Sequence, residues 1–280
     1  MQKVKIISDS TCDLPEGIAK ELGIIIVPLK VFMDEEVFTS GIDLSSEEFY
    51  SKLPLLKDTP STNPPSPAHF YSAYEDAADE VDCIISIHIS RLMSETIIAA
   101  EQARNMLPHM NIRVYDSKTT GASLGLILIH AAKAANEGKT FDEVCVIVED
   151  AIEKTRVVGF PSTLKYLVKG GRIGRARGLV GRLFGMIPIL SVYEGETSSL
   201  ATVQGRDAAI DWIINYLNEE GLDFSSLTAL THGNLLDVVD QFSMKLIQTF
   251  QCRLQFIGLI GPVVGAHLGP GSLYFAYMKK

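Results

Sequence analysis

Apolar runs alternate with stretches of helical period along most of the chain, the pattern expected of parallel strands joined by helical crossovers. VKIIS (4–8) predicts a first strand, and Asp13-Leu14-Pro15 after it predicts a cap with Pro in the first turn of a helix. IIIVPLKVF (24–32) reads as one second strand. Ser45 with Glu48, and Thr140 with Glu143, have capping-box spacing and each should start a helix, the later one reaching about residue 155. CIISIHI (83–89) and IRVYD (112–116) are further strands leading into helices.

After VVGF (157–160) the pattern changes. IPILSVYEGETSSLATV (187–203) predicts a hairpin around a Glu-Gly turn, and SLTALTHG, CRLQFIGLIG and SLYFAYM add strands around one or two helices. The expected fold is α/β in two domains. Residues 1–157 form a three-layer α/β/α unit on a mainly parallel sheet, and residues 158–280 an α/β unit with a mixed or antiparallel sheet.

Composition narrows the function. With 280 residues, 46% hydrophobic and a net charge of −9, the chain reads as an ordinary globular protein and not as a general nucleic-acid binder, which would carry surplus positive charge. The N-terminus lacks a signal-peptide core, and no apolar run approaches the roughly 18 residues of a membrane span. Cys12, Cys83, Cys145 and Cys252 show neither CxxC pairs nor zinc spacing, so reduced, buried thiols and a cytoplasmic location are expected, with no metal. Against the acidic background, KGGRIGRARGLVGR (169–182) gathers Lys169, Arg172, Arg175, Arg177 and Arg182.

Four loops rich in small polar residues border predicted elements: SDSTCD (8–13), TPSTNPPSP (59–67), SRLMSET (90–96) and DSKTTGAS (116–123). In an open α/β sheet such loops collect at the carboxyl ends of the strands, where ligands bind. Ser10, Ser66 and Thr119 are accounted for as caps. Thr62, beside Ser61 in the proline loop, and Ser94, at the opening of an apolar helix, suit a ligand carboxylate as well as a structural role. His267 in GPVVGAHLGPG (261–271) is either a structural histidine or a donor brought close to a ligand by a tightly folding backbone. GxxxxGK[ST] is missing, and the spaced glycines of GGRIGRARG do not follow a strand as a dinucleotide loop would.

Taken in order, DSTCDL (9–14), TPSTNPPSP, ISRLMSET (89–96), VYDSKTTGASLGL (114–126), LKYLVKGGRIGRARG (164–178), IPILSVYEGE (187–196) and GPVVGAHLGPGSL (261–273) resemble the DegV family, whose members include the FakB fatty-acid-binding proteins. The resemblance implies one long-chain fatty acid held between the two domains, and no cofactor. By motif it places the carboxylate-binding hydroxyls at Thr62 (with Ser61 next to it) and Ser94, and the orienting histidine at His267. It also implies that the acid is presented to a separate ATP-dependent fatty acid kinase that forms the acyl phosphate, with at most transient membrane contact. One departure stands out: where the family loop commonly reads Ser-Ser-x-Leu-Ser-Gly-Thr, this chain has Arg91 and Glu95 in place of small residues.

Phe160, Leu164, Ile187 and Ile189 are candidates for the tunnel wall or for ordinary core. Arg172, Arg175 and Arg177 read as a basic surface near the entrance, facing the kinase or its phosphates, or else as arginines tied to helix ends and local acids. A hydrolase or transferase acting on an acyl or phosphoryl group through His267 is the alternative function, and a DNA-binding regulator a third.

Overall fold

The computed structural model describes residues 3–181, 185–222, 225 and 227–279. The chain opens with β1 (Val4–Asp9), α1 (Glu16–Glu21) and β2 (Ile25–Val27). Then come β3 (Lys30–Met33), β4 (Glu36–Thr39), α2 (Ser46–Lys52) and β5 (Ser61–Asn63), in which β4-β3-β5 is a small antiparallel sheet. With α3 (Pro67–Ala78), β6 (Cys83–His88), α4 (Thr96–Met106) and β7 (Asn111–Asp116), the chain completes a parallel sheet ordered β2-β1-β6-β7.

The helices α5 (Ala122–Asn136) and α6 (Phe141–Lys154) lead to a second sheet. It is built from β8 (Thr155–Phe160), β9 (Met186–Tyr193), β10 (Glu196–Gln204), β11 (Thr228–His232), β12 (Leu254–Leu259) and β13 (Leu273–Met278). Between these strands run α7 (Lys165–Lys169), α8 (Arg206–Glu219), α9 (Leu236–Phe250) and α10 (Pro262–Leu268). The strand order is β10-β9-β8-β13-β11-β12, antiparallel except for the β11–β12 pair, so the sheet is mixed as the sequence implied.

The layers follow from where the apolar residues fall. On one face of the parallel sheet, Phe70 and Tyr74 of α3 and Ala100 and Ala103 of α4 pack on Ile7 and Ile84. On the other, Leu124, Ile127 and Leu128 of α5 meet Ile6, Ile85 and Ile87. The opposite side of α5 buries Leu126 and Ile129 against Ala229, Phe256 and Ala276 of the mixed sheet. A helix packed on both sides cannot be amphipathic, which is why ASLGLILIHAAKAA is apolar nearly all round. Helices α8 and α9 cover the outer face of the mixed sheet.

Local signals worked where the chemistry is local. Both capping boxes are formed, Ser45 with Glu48 and Thr140 with Glu143. The β9–β10 hairpin turns at Glu194-Gly195, both with positive φ, the backbone of a tight two-residue turn. Three local expectations need correction. The segment 24–32 is two strands in two sheets. Pro28 has no N–H to continue a ladder, and Leu29 N donates instead to Ser10 Oγ (3.0 Å), turning the chain out of the parallel sheet. Ser61–Asn63 is not a free proline loop but pairs with β3, Thr62 opposite Val31. Asp13 does not cap α1; it sits at φ 50° and its carboxylate goes elsewhere, Pro15 taking the cap position.

Candidate functional site

Between the carboxyl edge of the parallel sheet and the inner face of the mixed sheet lies a cavity with about 900 Å³ of space between its lining atoms, part of it open to solvent. All four polar loops contribute to it: Thr11 and Asp13 after β1, Thr62 and Pro64 around β5, Met93 and Ser94 before α4, and Thr120 and Gly121 before α5. The mixed sheet supplies Val157, Leu190, Val192 and Tyr274, and the floor is Leu29, Ile260, Val263 and Val264.

Helix α10 runs along the cavity and joins two polar ends. GPVVGAHLGPG, read from sequence as a tightly folding stretch, forms this helix with Pro262 in its first turn. At its last turn His267 Nε2 hydrogen-bonds Thr62 Oγ1 (2.8 Å). The His267 ring is held against Gly170, where an added Cβ would stand 2.1 Å from Nδ1; the first glycine of KGGRIG thus seats the histidine. Burial and the neighbouring Arg172 charge push the His267 pKa down to about 4, so the ring is neutral at pH 7.

Ser94 also lines the cavity. It does not cap α4 by the expected geometry, since the helix starts at Thr96 after Glu95; its Oγ pairs with Thr96 Oγ1 (2.8 Å) and accepts from Thr96 N (3.3 Å). Ser61 is exposed, on the face of β5 away from Thr62, and does not line the cavity.

Arg172, grouped in the sequence with a surface patch, reaches inward. Its guanidinium lines the cavity, donating from Nε to Met93 O (3.0 Å) and from a terminal nitrogen to Gly170 O (2.5 Å). It thereby ties the Ser94 loop to the His267 seat across the two sheets. Arg175 is bound to Glu194 (2.7 Å) and Glu196 (3.1 Å) and lies over the Tyr193 ring, while Arg177 is exposed. Arg182 lies outside the described residues. Arg91 turns to solvent onto Asp116 and Glu101, Glu95 is exposed, and neither lines the cavity.

The four wall candidates from sequence belong to the packed core. Phe160 and Ile189 join the cluster under α8 and α9, Ile187 packs against it, and Leu164 packs with Leu167 and Ile173. Sequence reasoning missed Asp13, Thr120, Leu29 and Tyr274 as lining residues, because nothing local separates a residue facing a cavity from one facing a packed neighbour.

At the other end of α10, Gly261 N donates to Asp13 Oδ1 (2.9 Å). Asp13 Oδ2 and Thr120 Oγ1 are buried without a hydrogen-bond partner. Burial drives the Asp13 pKa up to about 8, opposed by the Gly261 amide and reinforced by Asp9. Beneath this surface a second polar group is closed off. Asp9 accepts from Thr11 N (3.0 Å), Thr11 Oγ1 (2.5 Å), Ile89 N (3.1 Å) and His88 Nδ1 (3.0 Å). His88 continues through Ser86 (2.7 Å) to Tyr74 (2.9 Å), with each of these side chains fully buried.

A family model described as an uncharacterised protein, DegV family, matches residues 3–280. A DegV domain-containing protein of Clostridium acetobutylicum is 34% identical over 282 residues, 99% of this chain and 98% of its own. The fold is similar to that of a DegV family protein from Thermus thermophilus described by its fatty acid binding: TM-score 0.93, 25% identity, 99% of this chain and 100% of that one. It is also similar to DegV of Bacillus subtilis, described as a fatty acid binding protein, with TM-score 0.89, 26% identity and 100% of both chains covered.

Proposed function

This chain belongs to the DegV family, and on that premise we propose that it binds one long-chain fatty acid in the cavity along α10 and presents its carboxyl group to a separate ATP-dependent kinase. What supports the reading is that Thr62, Ser94 and His267, from three distant segments, all line one largely apolar cavity, with Thr62 hydrogen-bonded to His267. The relatives' fatty acid binding supports the ligand class. Burying about fourteen methylenes contributes roughly 11 kcal/mol at ~0.8 kcal/mol each, before association and ordering costs.

The head group meets donors fixed in advance. With His267 neutral and its proton on Nε2, the ring donates to Thr62 Oγ1, and the Thr62 hydroxyl proton is left to donate forward to the carboxylate. Ser94 Oγ supplies a second hydroxyl, and the Arg172 guanidinium offers positive charge close by, so the buried carboxylate is both paired and hydrogen-bonded. The exposed rim beside the Ser94 loop carries Leu92, Tyr193 and Arg177 with the Arg175–Glu194–Glu196 ion-pair cluster, an apolar and mixed-charge surface on which the kinase would dock.

Mass spectrometry of solvent-extracted protein, as isolated, is the direct test: a long-chain fatty acid should appear in near-stoichiometric amount, and Thr62→Val and Ser94→Ala should each weaken its binding about tenfold. If the purified chain alone consumes an acyl or phosphoryl substrate and His267→Ala abolishes that turnover, the carrier reading falls.

A further inference from the structure

Asp13 and Thr120 both line the cavity, and Asp13 Oδ2 and Thr120 Oγ1 are buried without partners. They stand apart from the head-group end: α10 separates Gly261, bonded to Asp13, from His267, bonded to Thr62. Six residues of helix span about 9 Å, and the wall between is Val263 and Val264. A wall serving only methylenes would be apolar here, since a lone polar atom facing hydrocarbon loses its water without gaining a partner.

We propose that Asp13 and Thr120 form a second polar subsite of this cavity, which recognises an acyl chain carrying a hydroxyl near its middle. The inference rests on the fatty-acid reading of the cavity. A ligand hydroxyl that reaches both can donate to one oxygen and accept from the other. Burial favours the protonated acid at Asp13, so its carboxyl group can itself act as donor while Gly261 N holds the other oxygen in place. Gly121 packs close to that oxygen, since an added Cβ would stand 3.3 Å from Asp13 Oδ2. With an advance of about 1.25 Å per carbon for an extended chain of ~1.5 Å bonds, 9 Å places the hydroxyl about seven carbons beyond the carboxyl group.

The test is binding of stearic acid and of 8-, 10- and 12-hydroxystearic acid to the delipidated full chain, for wild type, Asp13→Asn and Thr120→Val. The wild type should favour at least one hydroxylated acid over stearic acid by about tenfold, and Thr120→Val should cut that ratio to less than about threefold, whatever it does to stearic acid itself. Asp13→Asn, which keeps an acceptor for Gly261 N, should lower the ratio as well. A wild type that prefers stearic acid to every hydroxylated acid overturns the subsite, as does a preference that survives both substitutions. Failure of all four acids to bind the wild type would instead overturn the fatty-acid reading.

Discussion

Asp9 and Asp13 leave the same strand four residues apart, and both carboxyl groups are buried, yet their surroundings differ completely. Asp9 receives four hydrogen bonds and heads a closed line through His88 and Ser86 to Tyr74. Asp13 receives one, from Gly261, and its other oxygen is buried at the cavity wall without a partner. A saturated buried carboxylate is architecture: it fixes the loop after β1 against the start of the loop after β6. An unsaturated one at a cavity wall marks a place where a ligand can complete the shell.

The largest expected effect separates the two. Asp9→Ala strands His88, Ile89 N and Thr11 in the core and should cost about 3–5 kcal/mol in urea unfolding, whereas Asp13→Ala should cost about 1 kcal/mol or less at pH 7. Equal losses would erase the distinction.

The next effect is in the pH dependence. Asp13 is raised to about 8 in the fold, so between about pH 4 and 8 the folded state holds a proton that the unfolded chain has released, and stability falls as pH rises. His267 is lowered to about 4, so between about pH 4 and 6.5 the unfolded chain holds the extra proton, and stability rises with pH. The two slopes oppose each other up to about pH 6.5. Above it Asp13 acts alone, with a slope of up to about 1.4 kcal/mol per pH unit. Denaturant titrations should show that upper decline in the wild type and a flat profile in Asp13→Asn.

The head-group end can be perturbed without touching a hydroxyl. Gly170→Ala places a methyl group against His267 and should cost about 1–2 kcal/mol of stability, together with a loss of fatty acid affinity comparable to Thr62→Val. Retained affinity would mean that the His267 ring need not be held where it is. The smallest effect belongs to Arg175→Ala: its two ion pairs are about half exposed, so stability should change by less than about 0.5 kcal/mol.

Much of the fold was legible because it is written in short-range chemistry. The apolar runs of β1, β6 and β7, the two capping boxes and the Glu194-Gly195 turn depend on neighbours within a few residues. Thr62, Ser94 and His267 could be named through motif resemblance, since each lies in a distinctive block of small and apolar residues. Arg172 could not be placed. Its charge groups it with Arg175 and Arg177 along the chain, yet its side chain meets Met93 from the other half of the molecule.

The chain therefore carried in its own order the alternation of strands and helices, the change in character near residue 157, and the small polar loops at the strand ends. Tertiary structure alone decided which of those loops share a wall, that α5 is packed on both sides, and that one aspartate of SDSTCD is satisfied while the other is not. The reason is that periodicity and capping report on a residue's own turn of helix or strand. Hydrogen-bond saturation and cavity lining depend on contacts such as Asp13–Gly261 and Thr62–His267, made across more than two hundred residues, where local pattern carries no information.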